Sequence, residues 1–187
     1  MPYEPPPELA ALSLADIAAE VAARRLPPLD QWAPVETGES HMEIRADGRW
    51  FHEGGEITRP AMIRAFAGLL VRDGDGRHWL MTPHQRLAIA VADAAFIATD
   101  VVRRADGSGA GGLAFRLNTD DIVLAGPDHP LRAAGDAAVP ALYLAVRHGC
   151  EARLNRSTYA QLADLALDEG DDWCVTSQGR RFSLVPA

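Results

Sequence analysis

The stretch WLMTPHQR fills residues 79–86 and WCVTSQGR fills residues 173–180. Both place Thr three positions after Trp and Arg four positions after that. With 7 Thr and 18 Arg in 187 residues, a given Trp meets both spacings by chance roughly once in a few hundred tries. A second pair keeps nearly the same offset: Ile57-Thr58-Arg59 and Leu154-Asn155-Arg156 each set an N-cap residue before an Arg and a helix-like run. Both offsets are close to half the chain. The implied fold is α+β and roll-like: two sheet-rich halves related by an internal repeat of strand, bend, helix and hairpin. Residues 42–91 should superpose on 139–185, Arg59 over Arg156 and Trp79 over Trp173. The expected halves are 1–94, with an arm and the first repeat, and 95–187, with the second, packed as one compact unit.

Local signals fill in this plan. PYEPPPEL is too Pro-rich for regular structure, and Ser13 then caps a short Ala-rich helix to about Arg25. LPPLDQWAP reads as an extended arm anchored by Trp32. Residues 42–58 read as a hairpin turning at Asp47-Gly48, with a second bend at Gly54-Gly55. Thr58 is placed to cap the next helix, with Pro60 in its first turn and Met62, Phe66, Leu69 and Leu70 on one face. Residues 78–103 alternate strand and turn, RRADGSGAGG is a flexible hairpin tip, and LAFRLN and DIVLAG are strands. PDHPLRAAGDAAVP reads as a loop.

Composition narrows the chemistry. All 18 basic residues are Arg, so a phosphate-loop lysine, a Schiff-base lysine and a lysine general base are excluded. A net charge of −8 without a basic stripe argues against nucleic acid and anionic membranes. No apolar run reaches the ~18 residues of a membrane span, and a cytoplasmic location is expected. Cys150 and Cys174 read as reduced, packed thiols, and the six histidines show no metal-binding spacing, so neither metal nor cofactor is expected. The GSGAGG run lacks the lysine of a phosphate loop, and the acidic pairs, Asp120-Asp121 among them, read as solvated turns.

Two readings of the octets follow. In the mechanical one, Trp79 and Trp173 anchor strands entering the core, Thr82 and Thr176 tie down the turns, and Arg86 and Arg180 open the returning strands. In the binding one, Arg59 and Arg156 at helix starts, aided by Arg86 and Arg180, hold a small anionic ligand at the seam between repeats, unless Glu53, Glu56 or Glu151 pair with them. The partner is then a small anion or a protein. A catalytic alternative draws on His52, Glu53, His84 and Asp93, although no spacing forces a nucleophile and a base together.

PPLDQWAPVETG, MEIRADGRWFHEGGEITRPAMIRAFAGLLVRDGDGRHWLMTP, VADAAF and YLAVRHGCEARLNRSTYAQLADLAL resemble, in order and spacing, the signature segments of the proteobacterial domain of unknown function 1285 family. The resemblance runs from about Leu26 nearly to the end. It implies a cytoplasmic α+β protein of two sheet-rich halves built from a repeat, without established enzyme activity and inclined to ligand sensing or signalling. The chain departs from the family pattern at Thr37, where a Cys is common, and at Gln85-Arg86, where Glu-Lys is expected. No catalytic Cys or Glu stands at those positions.

Overall fold

The computed structural model describes Arg24 and residues 26–105, 111–136, 138–170 and 173–186. The helix expected from Ser13, apart from Arg24, and the hairpin tip at 106–110 lie outside the described residues. The first half runs β1 (Glu36–Ile44), β2 (Trp50–His52), β3 (Gly55–Ile57), α1 (Pro60–Ala67), β4 (Leu70–Arg72), β5 (His78–Met81) and β6 (Gln85–Val91). The second runs β7 (Phe96–Arg104), β8 (Gly112–Leu117), β9 (Ile122–Leu124), β10 (Leu131–Asp136), β11 (Val139–Arg147) and β12 (Cys150–Leu154). It continues with α2 (Arg156–Asp168), β13 (Cys174–Ser177) and β14 (Arg180–Ser183). Among the described residues the chain is mostly β, and no helix is long and apolar enough to cross a membrane.

Two six-stranded sheets hold the strands, ordered β3-β2-β1-β6-β5-β4 and β10-β11-β12-β7-β8-β9; β13 and β14 pair separately. Read from the other edge, the second order is the first with six added to each number. Each sheet is thus a pair of three-stranded meanders joined where the first strand lies parallel to the last, β1 with β6 and β7 with β12. The two halves are similar, but in a register that differs from the one expected. Strands β1–β6 correspond to β7–β12, rather than 42–91 to 139–185. Helix α1 joins the two meanders of the first sheet, whereas α2 follows the completed second sheet and packs on β7.

Several local expectations hold, and four are corrected. Gly48 turns the β1–β2 hairpin at φ +83, and a Cβ there would lie 2.6 Å from Ile97 Cγ1, so the other half also requires glycine. Asn155 caps α2, accepting 2.8 Å from Thr158 N. Thr58, by contrast, caps nothing: the N-cap of α1 is Arg59, without a side-chain bond, because Pro60 at the first helical position already removes one orphan donor. Residues 131–136 form an edge strand rather than a loop. Their small residues hide a pattern that the buried Leu131 and the turn at Asp136 reveal, where the carboxylate accepts from Ala138 N and Val139 N. In the arm, Leu29 is the buried anchor and Trp32 is only half-buried. Trp173 is not on a strand: it precedes β13 at φ +57 and is 48% exposed.

Alternation along the strands sends one face of each sheet inward. Ile44, Trp50, Leu80, Phe96, Phe115 and Leu144 join one continuous core fed by both sheets. Helix α1 sets Phe66 against Trp50, ring centroids 6.3 Å apart. Full burial of each such side chain contributes about 1.5–3 kcal/mol.

Candidate functional site

The seam between halves, where the sequence pointed to an anion site, contains an internal clamp. Asp121 is 95% removed from solvent, with 5% remaining exposure. Its carboxylate accepts from Thr119 Oγ1 at 2.8 Å and pairs with Arg147 Nη1 at 3.1 Å and with Arg24, just before the arm. Arg147 also donates to Ala67 O at the end of α1, and Arg64 of α1 donates 2.7 Å to Thr119 O. Burial lowers the Arg147 guanidinium to about 10. Burial, then repulsion from Arg147 and Arg64, lowers Arg24 to about 9. Both stay charged at neutral pH, and the carboxylate between them holds α1, the entry to the arm and the β8–β9 turn together. The Asp120-Asp121 pair is therefore not a solvated turn. Sequence reasoning missed Asp121 because an acidic dipeptide gives no sign that a distant Arg will cover it.

The four arginines singled out in the sequence sit on separate elements. Arg59 precedes α1, Arg156 opens α2, Arg180 lies over Phe182 on the last hairpin at 5.6 Å, and Arg86 starts β6. Arg59 and Arg156 are exposed and show no ion pair among the described residues, but neither helix start carries a second feature that points to a ligand. The two octets differ as well. Thr82 ties its turn as expected, donating 2.9 Å to Gln85 O and accepting from Gln85 N. Thr176 is mid-strand opposite Arg181, and the anchoring hydroxyl there is Ser177, which bonds Leu113 N and Ala125 O.

Of the four, Arg86 contacts two residues that line an open groove, Thr37 and Trp79. In the first sheet Trp79, Ala88 and Glu39 are direct cross-strand partners and so share a face, and Met81, Arg86 and Thr37 form the next row on that face. The intervening Leu80 and Leu87 point to the core, so these rows face outward. Trp79, expected in the core, is instead a buried side chain of the outer face at 8% exposure. Asp73 accepts its indole N–H at 2.8 Å, and Arg86 Cζ lies 4.7 Å from the ring centroid. Hydrogen bonds from Trp79 and Arg77 hold the Asp73 carboxyl below its ordinary value.

Around this Trp runs an open groove of about 780 Å³, walled by Thr37, Glu39, Arg77, Trp79, Ala88 and Ala90. Small-molecule sites typically span about 300–1,000 Å³. Arg86 touches this lining, donating Nε to Thr37 Oγ1 at 3.1 Å. One wall is irregular: the β1–β6 ladder breaks between Glu39 and Glu43, where His41 adopts φ +54 and Ser40 Oγ donates to Ala88 O. His78 borders the groove with its pKa lowered by burial and by Arg72, so it is neutral at pH 7.

The second sheet supplies the comparison. Its matching outer row is Arg132, Tyr143 and Arg153. There Asp93 pairs with Arg153 at 2.6 Å and accepts from Tyr143 OH at 2.8 Å, and Glu151 binds Arg132 through both oxygens. Burial and the bond to Asp93 raise the Tyr143 phenol, which stays protonated and donating. Where the second sheet has Arg153 beside its aromatic, the first has Ala88, and the space left is the groove.

The catalytic quartet does not assemble. His84 and Asp93 lie beyond opposite ends of β6, roughly 20 Å of extended chain apart, and Asp93 is engaged with Arg153 and Tyr143. His52 ends β2 and Glu53 begins the β2–β3 turn, both exposed. Among the described residues no group of three His, Cys, Asp or Glu is placed to hold a metal. Cys150 is buried, which pushes its thiol up to about 12 and makes it unreactive.

Residues 27–94 match the family model described as "Domain of unknown function (DUF1285), N-terminal domain", and residues 95–184 match that of the C-terminal domain. A crystal structure of a DUF1285 family protein from Silicibacter pomeroyi DSS-3 is 35% identical, with 90% of this chain and 94% of that one covered at a TM-score of 0.75. A second, from Shewanella baltica OS155, is 21% identical over 66% of this chain and 90% of its own, TM-score 0.53, and shares the fold. Among curated proteins there is no significant match. The chain belongs to the DUF1285 family.

Proposed function

We propose that this DUF1285 protein is a non-catalytic binding module, and that the groove on the outer face of its first sheet takes a small anionic ligand for sensing. One observation carries the reading. In the second sheet the Arg that accompanies the outer-face aromatic is neutralised by Asp93, whereas Arg86 in the first sheet has no carboxylate within salt-bridge distance among the described residues. A ligand anion would do at Arg86 what Asp93 does at Arg153. Arg77, an exposed wall residue, adds a second positive group, and the Trp79 ring supplies an apolar wall.

The test is an acetate and sulfate titration followed by thermal unfolding, on wild type and Arg86→Gln. A site at Arg86 predicts that the anion raises the melting temperature of the wild type more than that of the variant. Equal gains in the two proteins remove the site.

A further inference from the structure

The groove contains one group that a purely anionic ligand would avoid. Glu39 lies in its wall, directly beside Ala88 and one row from Arg86, exposed, and with no ion pair or side-chain hydrogen bond among the described residues. Side chains on neighbouring strands and adjacent rows come within reach of each other, so Glu39 and Arg86 could have neutralised one another, yet they form no salt bridge. Arg86 is held elsewhere, by Thr37 Oγ1 and the Trp79 ring. The result is a carboxylate and a guanidinium, neither ion-paired among the described residues, in adjacent rows of one face, with the small Ala88 beside Glu39 and Ala90 one row further along β6.

Resting on the reading of this groove as a small-molecule site, we infer that its ligand is zwitterionic and amino-acid-like, with its carboxylate on Arg86, its ammonium on Glu39 and an apolar side chain along Trp79. The guanidinium fork matches a carboxylate. The carboxylate of Glu39 repels a bare anion and attracts an ammonium one or two bonds away from the ligand's own carboxylate, so it selects for the paired charges. The bulge beside Glu39, with Ser40 Oγ restoring a ladder bond to Ala88 O, re-aims this stretch of β1 relative to β6. The three registered pairs of the parallel β12–β7 ladder show no such break, and its outer row carries no Glu at the corresponding place but Ile97.

Three probes of one carbon skeleton separate the charges: leucine, 4-methylpentanoate, which lacks the ammonium, and 3-methylbutan-1-amine, which lacks the carboxylate. Binding is read from amide chemical shifts of Ala88 and Ala90 and the Trp79 indole shift. The expected order has leucine tightest, about fivefold tighter than 4-methylpentanoate, as one exposed ion pair can supply. Glu39→Gln should erase that difference, with 4-methylpentanoate binding at least as tightly as to the wild type because the repulsion is gone. Arg86→Gln should weaken both carboxylates by about tenfold or more. Both side chains are exposed, so the variants keep the fold. If 4-methylpentanoate binds as tightly as leucine but still needs Arg86, the zwitterion inference is overturned and the anion site stands. A leucine preference that survives Glu39→Gln overturns the assignment of Glu39. If no probe shows Arg86-dependent binding, both readings go.

Discussion

Trp79 and Tyr143 hold the same place in two sheets of identical strand order, and their surroundings have diverged. Around Tyr143 every charge is matched within the chain: Arg153 by Asp93, Arg132 by Glu151. Around Trp79 the indole N–H is matched by Asp73, but Arg86 and Glu39 are not matched by each other, and Ala88 leaves open the space that Arg153 fills in the other sheet. One architecture has produced a closed face and an open one. What a sheet does is therefore set by the few long side chains of its solvent face, while the inward rows only have to fill a common core.

The comparison can be broken most severely at the seam. Asp121→Ala leaves Arg147 and Arg24 without their carboxylate in a buried setting and should cost about 3–5 kcal/mol, read from chemical denaturation. A single transition at lower denaturant is expected, because both sheets feed one core; two separate transitions would show that the halves are independent. Trp79→Ala should cost about 3 kcal/mol, since the ring is buried although it faces outward. Its counterpart Tyr143→Phe, which loses one bond to Asp93, should cost only about 1 kcal/mol. The two helices differ in the same way. Asn155→Ala should cost about 1 kcal/mol, and Thr58→Ala should leave the denaturation midpoint unchanged, because α1 has no side-chain cap.

The smallest effect is pH-dependent. The folded-state pKa of Asp73 is depressed, chiefly by the Trp79 hydrogen bond. Its contribution is fully present above the ordinary carboxylate value near pH 4 and is lost as pH falls through the lower folded value. Asp73→Asn should therefore flatten the acid limb of a melting-temperature profile, while the limb above pH 5 keeps its shape.

Local chemistry was legible in the sequence where it is decided within a few residues: the Asp47-Gly48 turn, the Asn155 cap, Pro60 in the first turn of α1, the Thr82 turn. Family membership was legible because it depends on long ordered segments. The repeat register was not. Trp-x-x-Thr-x-x-x-Arg specifies residue types, whereas correspondence between halves depends on which strands pair, and a strand's partner lies tens of residues away, as Glu36 with Gln85. The site was half legible for the same reason. Arg86 was named, but Glu39 and Arg77 join it only through the β1–β6 ladder and the β4–β5 turn, and Asp121 looked like any acidic turn until Arg147 covered it.

The parallel pairing of first strand with last also dictates an order of events during synthesis. In each six-stranded unit the central ladder joins segments about fifty residues apart, so it carries the loop-closure entropy of nearly the whole unit. The meanders β1–β2–β3 and β4–β5–β6 can form early from local contacts, yet the sheet stays open down its middle until residue 91 is available, and the second until residue 154. Such non-local contacts make folding slow compared with that of a helical bundle of equal size. During that interval the inner edges of β1 and β6 expose unpaired N–H and C=O groups, and the growing chain is most vulnerable to pairing with another copy of itself.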